Sequence, residues 1–308
     1  MNCPTCGSVH VQSRGTRNGK NRFQCQNDAC PQQWFSTEMN TSDVVDVSAP
    51  NILVFDIETS TILAELYDLG KQYVGRKSLK ESWYILSWSA QWLKDDEVFG
   101  DVVTSKEAKL RDDKRVVKSL WDTIDEADIL ISYNGDGFDI PRFNRRSLEC
   151  GLMRPSHYQS IDLYKTIRNT FEFESNALDF VCERLQLERK RNNGGWELWQ
   201  DATAGVQKAL DEMIYYGLGD IPPTQELYFE IRTWIKNHPK MSLYNVDETE
   251  PMCNFCGSTD IAPKDKLVSV GLNLYRSFRC KSCGGIGRYK EGQLSKEKRK
   301  NMSMGLRY

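Results

Sequence analysis

The run ILVFDIET, residues 52–59, limits what this chain can fold into more than any other stretch. Its β-branched and aromatic content predicts a buried strand. Two acids, Asp56 and Glu58, interrupt it two residues apart. Side chains at i and i+2 of a strand share a face. The fold must therefore hold two carboxylates side by side on a half-buried surface. Like charges that close repel, and burying either costs free energy unless a partner neutralises it.

The surrounding pattern predicts an α/β domain over residues 51–240. ESWYILSWSAQWL and DEVFGDVVT follow the first strand and complete a meander. DDKRVVKSLWDTIDEAD has apolar positions at helical spacing, and ILISYN is a short strand. FDIPRFNRRSLECGL predicts a helix with Pro141 in its first turn. YQSIDLY is a further strand and NALDFVCERLQL an amphipathic helix. NNGGWELWQ breaks the pattern. AGVQKALDEMIYYGL and TQELYFEIRTWIKN are two helical segments, the second after Pro222 and Pro223. Residues 37–50 are polar, end in proline and predict a linker.

Eight of the ten cysteines lie in two blocks at the chain ends. Cys3 and Cys6 face Cys25 and Cys30; Cys253 and Cys256 face Cys280 and Cys283. Two tight turns, each supplying two thiolates, make a tetrahedral Cys₄ zinc site. Residues 1–36 and 241–290 are thus expected to be zinc ribbons with two structural Zn²⁺, and 291–308 a basic tail. Disulfides are the alternative. Cys150 and Cys182 stand alone in helical patterns and are expected in the core.

The strand acids now need partners. Asp139, in NGDGFD, follows a strand and opens a helix, where sites in α/β proteins gather. In YYGLGD, Tyr216 and Asp220 are four apart and share a helix face. Converging, Asp56, Glu58, Asp139 and Asp220 would be untenable without hard divalent cations, and a two-metal arrangement is the usual chemical purpose. Asp136 is an extra acid, a turn residue or an auxiliary metal contact. Scattered surface and capping acids are the bland alternative.

D-x-E on a strand, N-x-x-x-F-D after a later strand and Y-x-x-x-D on a late helix resemble the three motifs of the DEDD exonuclease superfamily. More narrowly they resemble its Tyr-bearing branch, which includes the proofreading domains of family B DNA polymerases. The chain is similar to stand-alone ribonuclease H-like exonucleases of bacteriophages, which often end in a zinc ribbon. The resemblance spans about residues 51–240. It implies a ribonuclease H-like α/β core, with a mixed sheet flanked by helices, that removes nucleotides stepwise 3′→5′. It further implies that Asp56 bridges two Mg²⁺ or Mn²⁺ ions and that Glu58 and Asp220 hold the ion activating water. Asp139 would act through the second ion, and Tyr216 would orient the water. None of His10, His157 and His238 stands just before Asp220, which favours the Tyr branch. Gly217, Gly219, Pro222 and Pro223 surround Asp220 and predict a kink or a restart at Pro222.

Charge bears on the substrate. Residues 251–308 carry twelve basic and four acidic side chains, residues 46–250 twenty-five and thirty-six. An acidic middle that collects cations and a basic end that meets a polyanion fit this asymmetry, as does a merely solvated surface. Asn134 and Phe138 beside the site, and Arg22, Phe23, Tyr275, Arg276, Phe278 and Arg279 in the ribbons, are candidate nucleic-acid contacts. The ribbons are otherwise staples or protein-docking modules. Trp121, Trp196 and Trp199 are expected in the core; RKRNNGG could touch phosphates, with a solvated loop the more common outcome.

The expected function is metal-dependent 3′→5′ exonuclease action on DNA, single-stranded ends preferred, with RNA as the other substrate. A structure-specific endonuclease or ribonuclease, a proofreading subunit of a polymerase, and a non-catalytic nucleic-acid adaptor stay open. A polymerase or another replication protein is the expected partner and a membrane is not. No apolar run is long enough to span a bilayer, and MNCPTCGSVH lacks the apolar core of a secretory signal. The expected location is the cytoplasm, that of the host if the chain is phage-encoded.

Overall fold

The computed structural model describes residues 2–17, 20–31, 34–38, 49–68, 73–191, 194–245 and 248–303. The chain divides into two compact units, Met1–Ser48 and Ala49–Tyr308. In the first, β1 (Val11–Arg17), β2 (Lys20–Cys25) and β3 (Trp34–Glu38) form an antiparallel sheet in the order β1-β2-β3. The third strand runs into the expected linker as far as Glu38.

The second unit is built on a five-stranded mixed sheet, ordered β10-β9-β4-β7-β8. Strands β4 (Ile52–Thr59), β7 (Ile85–Trp92) and β8 (Val98–Val102) form the antiparallel meander. Strands β9 (Ile129–Ser132) and β10 (Gln159–Asp162) add in parallel on the other side of β4. The C-terminal ends of β4, β9 and β10 therefore lie along one edge. A small hairpin, β5 (Leu63–Ala64) with β6 (Leu79–Glu81), was not foreseen in the pattern.

Helices cover both faces. Leu53, Phe55 and Ile57 pack with Val116, Val117, Leu120 and Ile124 of α2 (Lys114–Asp125) and Phe143 of α3 (Asp139–Glu149). Ile52 and Val54, on the opposite face, pack with α4 (Leu163–Thr170), α5 (Leu178–Leu185) and the second half of α7 (Gln207–Ile231). The remaining core helices are α1 (Ser105–Leu110), closed by a Thr104–Glu107 capping box, and α6 (Gly195–Thr203). The second corrects the sequence pattern, which breaks over NNGGWELWQ. Leu198 and Ala202 of α6 are buried in the core, so tertiary packing overrides the glycines at its start.

The two helical segments expected around Pro222 are one. Helix α7 runs through Pro222 and Pro223 without restarting. Each interior proline costs about 3 kcal/mol or more by removing an N–H and crowding the preceding turn. Fully buried Ile221 and Leu227, with Tyr228 and Ile231, offset this, at about 1.5–3 kcal/mol for each buried aliphatic side chain. Thr224 Oγ1 also donates to the Asp220 carbonyl at 2.9 Å.

Three antiparallel strands, β11 (Ile261–Val270), β12 (Asn273–Cys280) and β13 (Ile286–Gly292), form the C-terminal ribbon, followed by α8 (Lys296–Lys300). It is keyed onto α7. The His238 ring stacks on Tyr228, with 2.9 Å between Nε2 and the Tyr228 hydroxyl, and meets Phe255 edge-on at 5.5 Å. The Met241 N–H donates to the Asn254 carbonyl at 2.9 Å.

Candidate active site

Asp56 and Glu58 extend the β4 face that carries Ile52 and Val54, as period two requires. Directly opposite on β7 are Ser89 and Ser87. Their side chains share that face and are small, so they leave space over the acids. Gly217 of α7 comes close here: a Cβ on it would lie 2.7 Å from Ser89 Oγ. Glycine thus lets α7 lie against the sheet and lower Tyr216 and Asp220 toward β4.

The turn after β9 delivers the next acid. Asn134 sits at φ 68°, and its N–H donates to Asp162 Oδ1 at 3.0 Å. A Cβ at Gly135 would lie 2.0 Å from Ser132 Oγ, so only glycine fits. α3 starts at once, with Asp139 in its first turn and Pro141 where a missing N–H costs nothing. The Ile57 N–H donates to Asp139 Oδ1 at 3.1 Å.

Carboxylate oxygens of Asp56, Glu58 and Asp220 lie within 4.8 Å of one another. Asp139 stands beside this triplet, tied to the backbone between the two strand acids. Asp136 turns away: it accepts from Ser160 Oγ at 2.5 Å and pairs with Lys165 at 2.7 Å. Tyr216 is buried, edge-on to Trp199 at 6.0 Å between centroids.

Crowding moves every titration in the group. Burial, then Asp139 and Glu58, holds Asp56 well above the usual carboxylate range. Burial, then Asp220, pushes Glu58 up to about 7. Burial pushes Asp139 up to about 7 against the Ile57 hydrogen bond. Asp220 is raised by burial, opposed by Lys190 and the Tyr216 hydroxyl. Tyr216 is pushed up to about 12 by burial and by Asp220.

One cation enters the cluster. Lys190 Nζ lies 2.7 Å from Asp220 Oδ2 and 5.6 Å from the Tyr216 ring centroid. Burial works against its charge, but Asp220 and Asp56 hold its affinity for protons above normal. It does not balance the group: Asp220 Oδ1, Ser87 Oγ and Ser89 Oγ are buried without hydrogen-bond partners among the described residues. Clustered carboxylates that resist ionisation, over orphaned oxygens, are the donor set of a hard divalent cation such as Mg²⁺ or Mn²⁺.

The cysteine clusters are built for a softer ion. Each set of four Sγ atoms lies within 4.8 Å. Cys3–Cys30 and Cys6–Cys25 are 3.7 Å apart; Cys253–Cys283 and Cys256–Cys280 are 3.6 Å apart. Four sulfurs tetrahedral about zinc at its usual bond length stand about 3.8 Å apart. No disulfide joins any of the eight, since an S–S bond would need about 2 Å.

The other candidates are dispersed. Asn134 is exposed and Phe138 half-buried beside Asp139. Arg276 and Arg279 are exposed on β12, and Tyr275 is half-buried under Arg288 at 4.0 Å. Phe278 corrects the expectation of a base contact: it is 2 % exposed and packs edge-on to Tyr289 inside the ribbon. Phe23 is half-buried; Arg22 lies on β2, its side chain outside the described residues. The residues missed from the sequence are Lys190 and Trp199. The first sat in a stretch resembling a solvated loop. The second packs against the core as expected, as does Trp121, and also touches Tyr216 and bears on Glu58; Trp196 departs from the expectation, being exposed.

Residues 88–235 match a family model described as RNase_H superfamily, a little under half of the chain, beginning after β4. With the mixed five-stranded sheet and its flanking helices, the fold is ribonuclease H-like. A DNA polymerase of Pyrococcus glycovorans is 25 % identical over 197 residues, covering 57 % of this chain and 24 % of that protein. A DNA polymerase of Thermococcus sp. (strain GE8) is 28 % identical over 226 residues, covering 64 % and 12 %. The chain thus spans about a quarter or less of the length of these curated relatives. The solved family B DNA polymerase of Pyrobaculum calidifontis aligns with 72 % of this chain and 28 % of its own, at 17 % identity and a TM-score of 0.45.

Proposed function

We propose that the protein is a metal-dependent 3′→5′ exonuclease of the Tyr-bearing DEDD type, acting on DNA from single-stranded ends. The observation that carries this reading is the convergence of Asp56, Glu58 and Asp220, with Asp139 beside them and Tyr216 on the same helix face as Asp220. Asp56, Glu58 and Asp220 would hold one divalent cation, and Asp56 with Asp139 a second. Bound there, such ions supply the charge and the acidified water that in-line phosphodiester hydrolysis needs. The Tyr216 hydroxyl keeps its proton at neutral pH, since its pKa is pushed up to about 12. It therefore serves to hold and aim a water by hydrogen bonding, and not as the base. Structural Zn²⁺ in each ribbon completes the reading.

DNA as substrate is supported by the relatives, which are DNA polymerases. The same similarity favours a second reading of the biology, in which the chain serves a polymerase or another replication protein. The test uses 5′-labelled, 3′-blocked and circular single strands of DNA and RNA, each with Mg²⁺ or Mn²⁺. A ladder shortening from the free 3′ end, abolished in Asp56→Ala, is the expected result. Cutting of circles would replace the exonuclease with an endonuclease. No cleavage with either metal would leave only a binding protein.

A further inference from the structure

A second cation stands next to the acid cluster, and it is unattached. Arg142 lies one turn along α3 from Asp139, close enough for the two charges to act on each other. Among the described residues its side chain makes no hydrogen bond and no ion pair, and its buried Nε has no acceptor. Arg111, Arg115, Arg146 and Arg189, by contrast, all pair with carboxylates. Arg142 is held by stacking instead. Its guanidinium carbon lies 3.4 Å from the Phe138 ring centroid and 5.3 Å from that of Trp83. Arg145, itself committed to Glu149 and Ser82, covers Trp83 at 4.6 Å.

A guanidinium stacked by its face keeps its N–H donors free in the plane. Leaving them unpaired and partly buried costs free energy, which an arriving anion would recover. Aromatic walls exclude water and strengthen such a contact. Planar cations interleaved with aromatic rings are also how proteins grip single strands.

Resting on the nuclease reading above, we propose that Arg142, set over the Phe138 and Trp83 rings, binds a backbone phosphate of the strand being cut, adjoining the phosphate at the acid cluster. Arg142 is a substrate-positioning residue, and Trp83 is the wall for the neighbouring base or sugar.

The test measures binding of a short fluorescein-labelled deoxythymidine strand by full-length Asp56→Ala across a salt series, with melting checked for each variant. Adding Arg142→Gln is expected to weaken binding about tenfold and to flatten the log K against log salt slope by about 0.7, the loss of one phosphate contact. Arg142→Lys keeps the charge and is expected to keep the slope while losing about threefold in affinity. If Arg142→Gln does not fold, Arg142→Lys carries the test, and parental affinity there overturns the proposal. Parental binding and slope in both variants would also overturn it, as would equal weakening with an unchanged slope, which is a packing effect. If the Asp56→Ala parent binds no strand at all, the nuclease reading falls and takes this one with it; if the parent binds and the variants match it, only the phosphate site falls.

Discussion

Ile57 and Asp139, 82 positions apart in the chain, are joined by one hydrogen bond of 3.1 Å from the strand N–H to the helix carboxylate. Ile57 is the residue between Asp56 and Glu58. The bond therefore fixes the helix acid against the gap between the two strand acids, before any ion arrives.

Asp139→Asn keeps an acceptor for that N–H and removes the charge. It should fold like wild type and lose about 10²–10³-fold in cleavage rate, the scale of losing one preorganised electrostatic contact. Asp139→Ala orphans the buried N–H and should be less stable than Asp139→Asn by about 1–3 kcal/mol. Urea unfolding with a cleavage assay separates the two effects. Equal stability of both variants would mean that the bond holds nothing in place.

The acid cluster should make metal binding strongly pH-dependent. Glu58 and Asp139 are both raised to about 7 in the fold, from 4.5 and 3.8. A raised carboxyl stabilises the fold while protonated, fully below its unfolded pKa, and this is lost as pH climbs through about 7. Ligation needs the deprotonated groups, so a divalent cation restores stability above that point. The melting increment from added Mg²⁺ should be small near pH 5.5 and large near pH 8. An increment equal at both pH values would contradict the assignment of these acids as ligands.

Lys190 competes with any cation for Asp220. Lys190→Gln removes the competing charge, so half-saturation by Mg²⁺ at pH 8 should fall to about a third to a tenth of its wild-type concentration. The ion-free protein should melt earlier at that pH, because four acids are left with less compensation. Isothermal titration and melting in parallel measure both. A weaker affinity for Mg²⁺ in the variant would show that Lys190 assists the ion.

Tyr216→Phe keeps the ring against Trp199 and deletes the hydroxyl beside Asp220. Melting should stay near wild type while kcat falls about ten- to a hundredfold and KM holds, as when a group acts only in the transition state. A rise in KM alone would make Tyr216 a binding residue.

The strand acids were legible because their environment is local. An apolar run with acids at i and i+2 can only present both on one face. Asp139 was legible as a helix opener after a strand, although its bond to Ile57 was not, since backbone partners across 82 positions leave no trace in sequence. Pro222 and Pro223 misled in the opposite way. Propensity argues for a break there, and the buried Ile221, Leu227 and Ile231 outweigh it. Lys190 was hidden because a lysine in a run of charges looks the same whether it points to water or folds back onto Asp220. Phe278 was readable: it stands two before Cys280 on β12, so it shares the face of a cysteine of the four-thiol cluster, which points into the ribbon.

The two cysteine ribbons are alike in chemistry and unequal as modules. The first belongs to a compact unit of its own. The second is wedged by His238 onto Tyr228, which lies about 12 Å along α7 from Asp220. A lineage that discarded it would uncover an aromatic face on the helix bearing Tyr216 and Asp220, and would have to invent a new cover. Shuffling of this architecture should therefore be restricted at its C-terminal end.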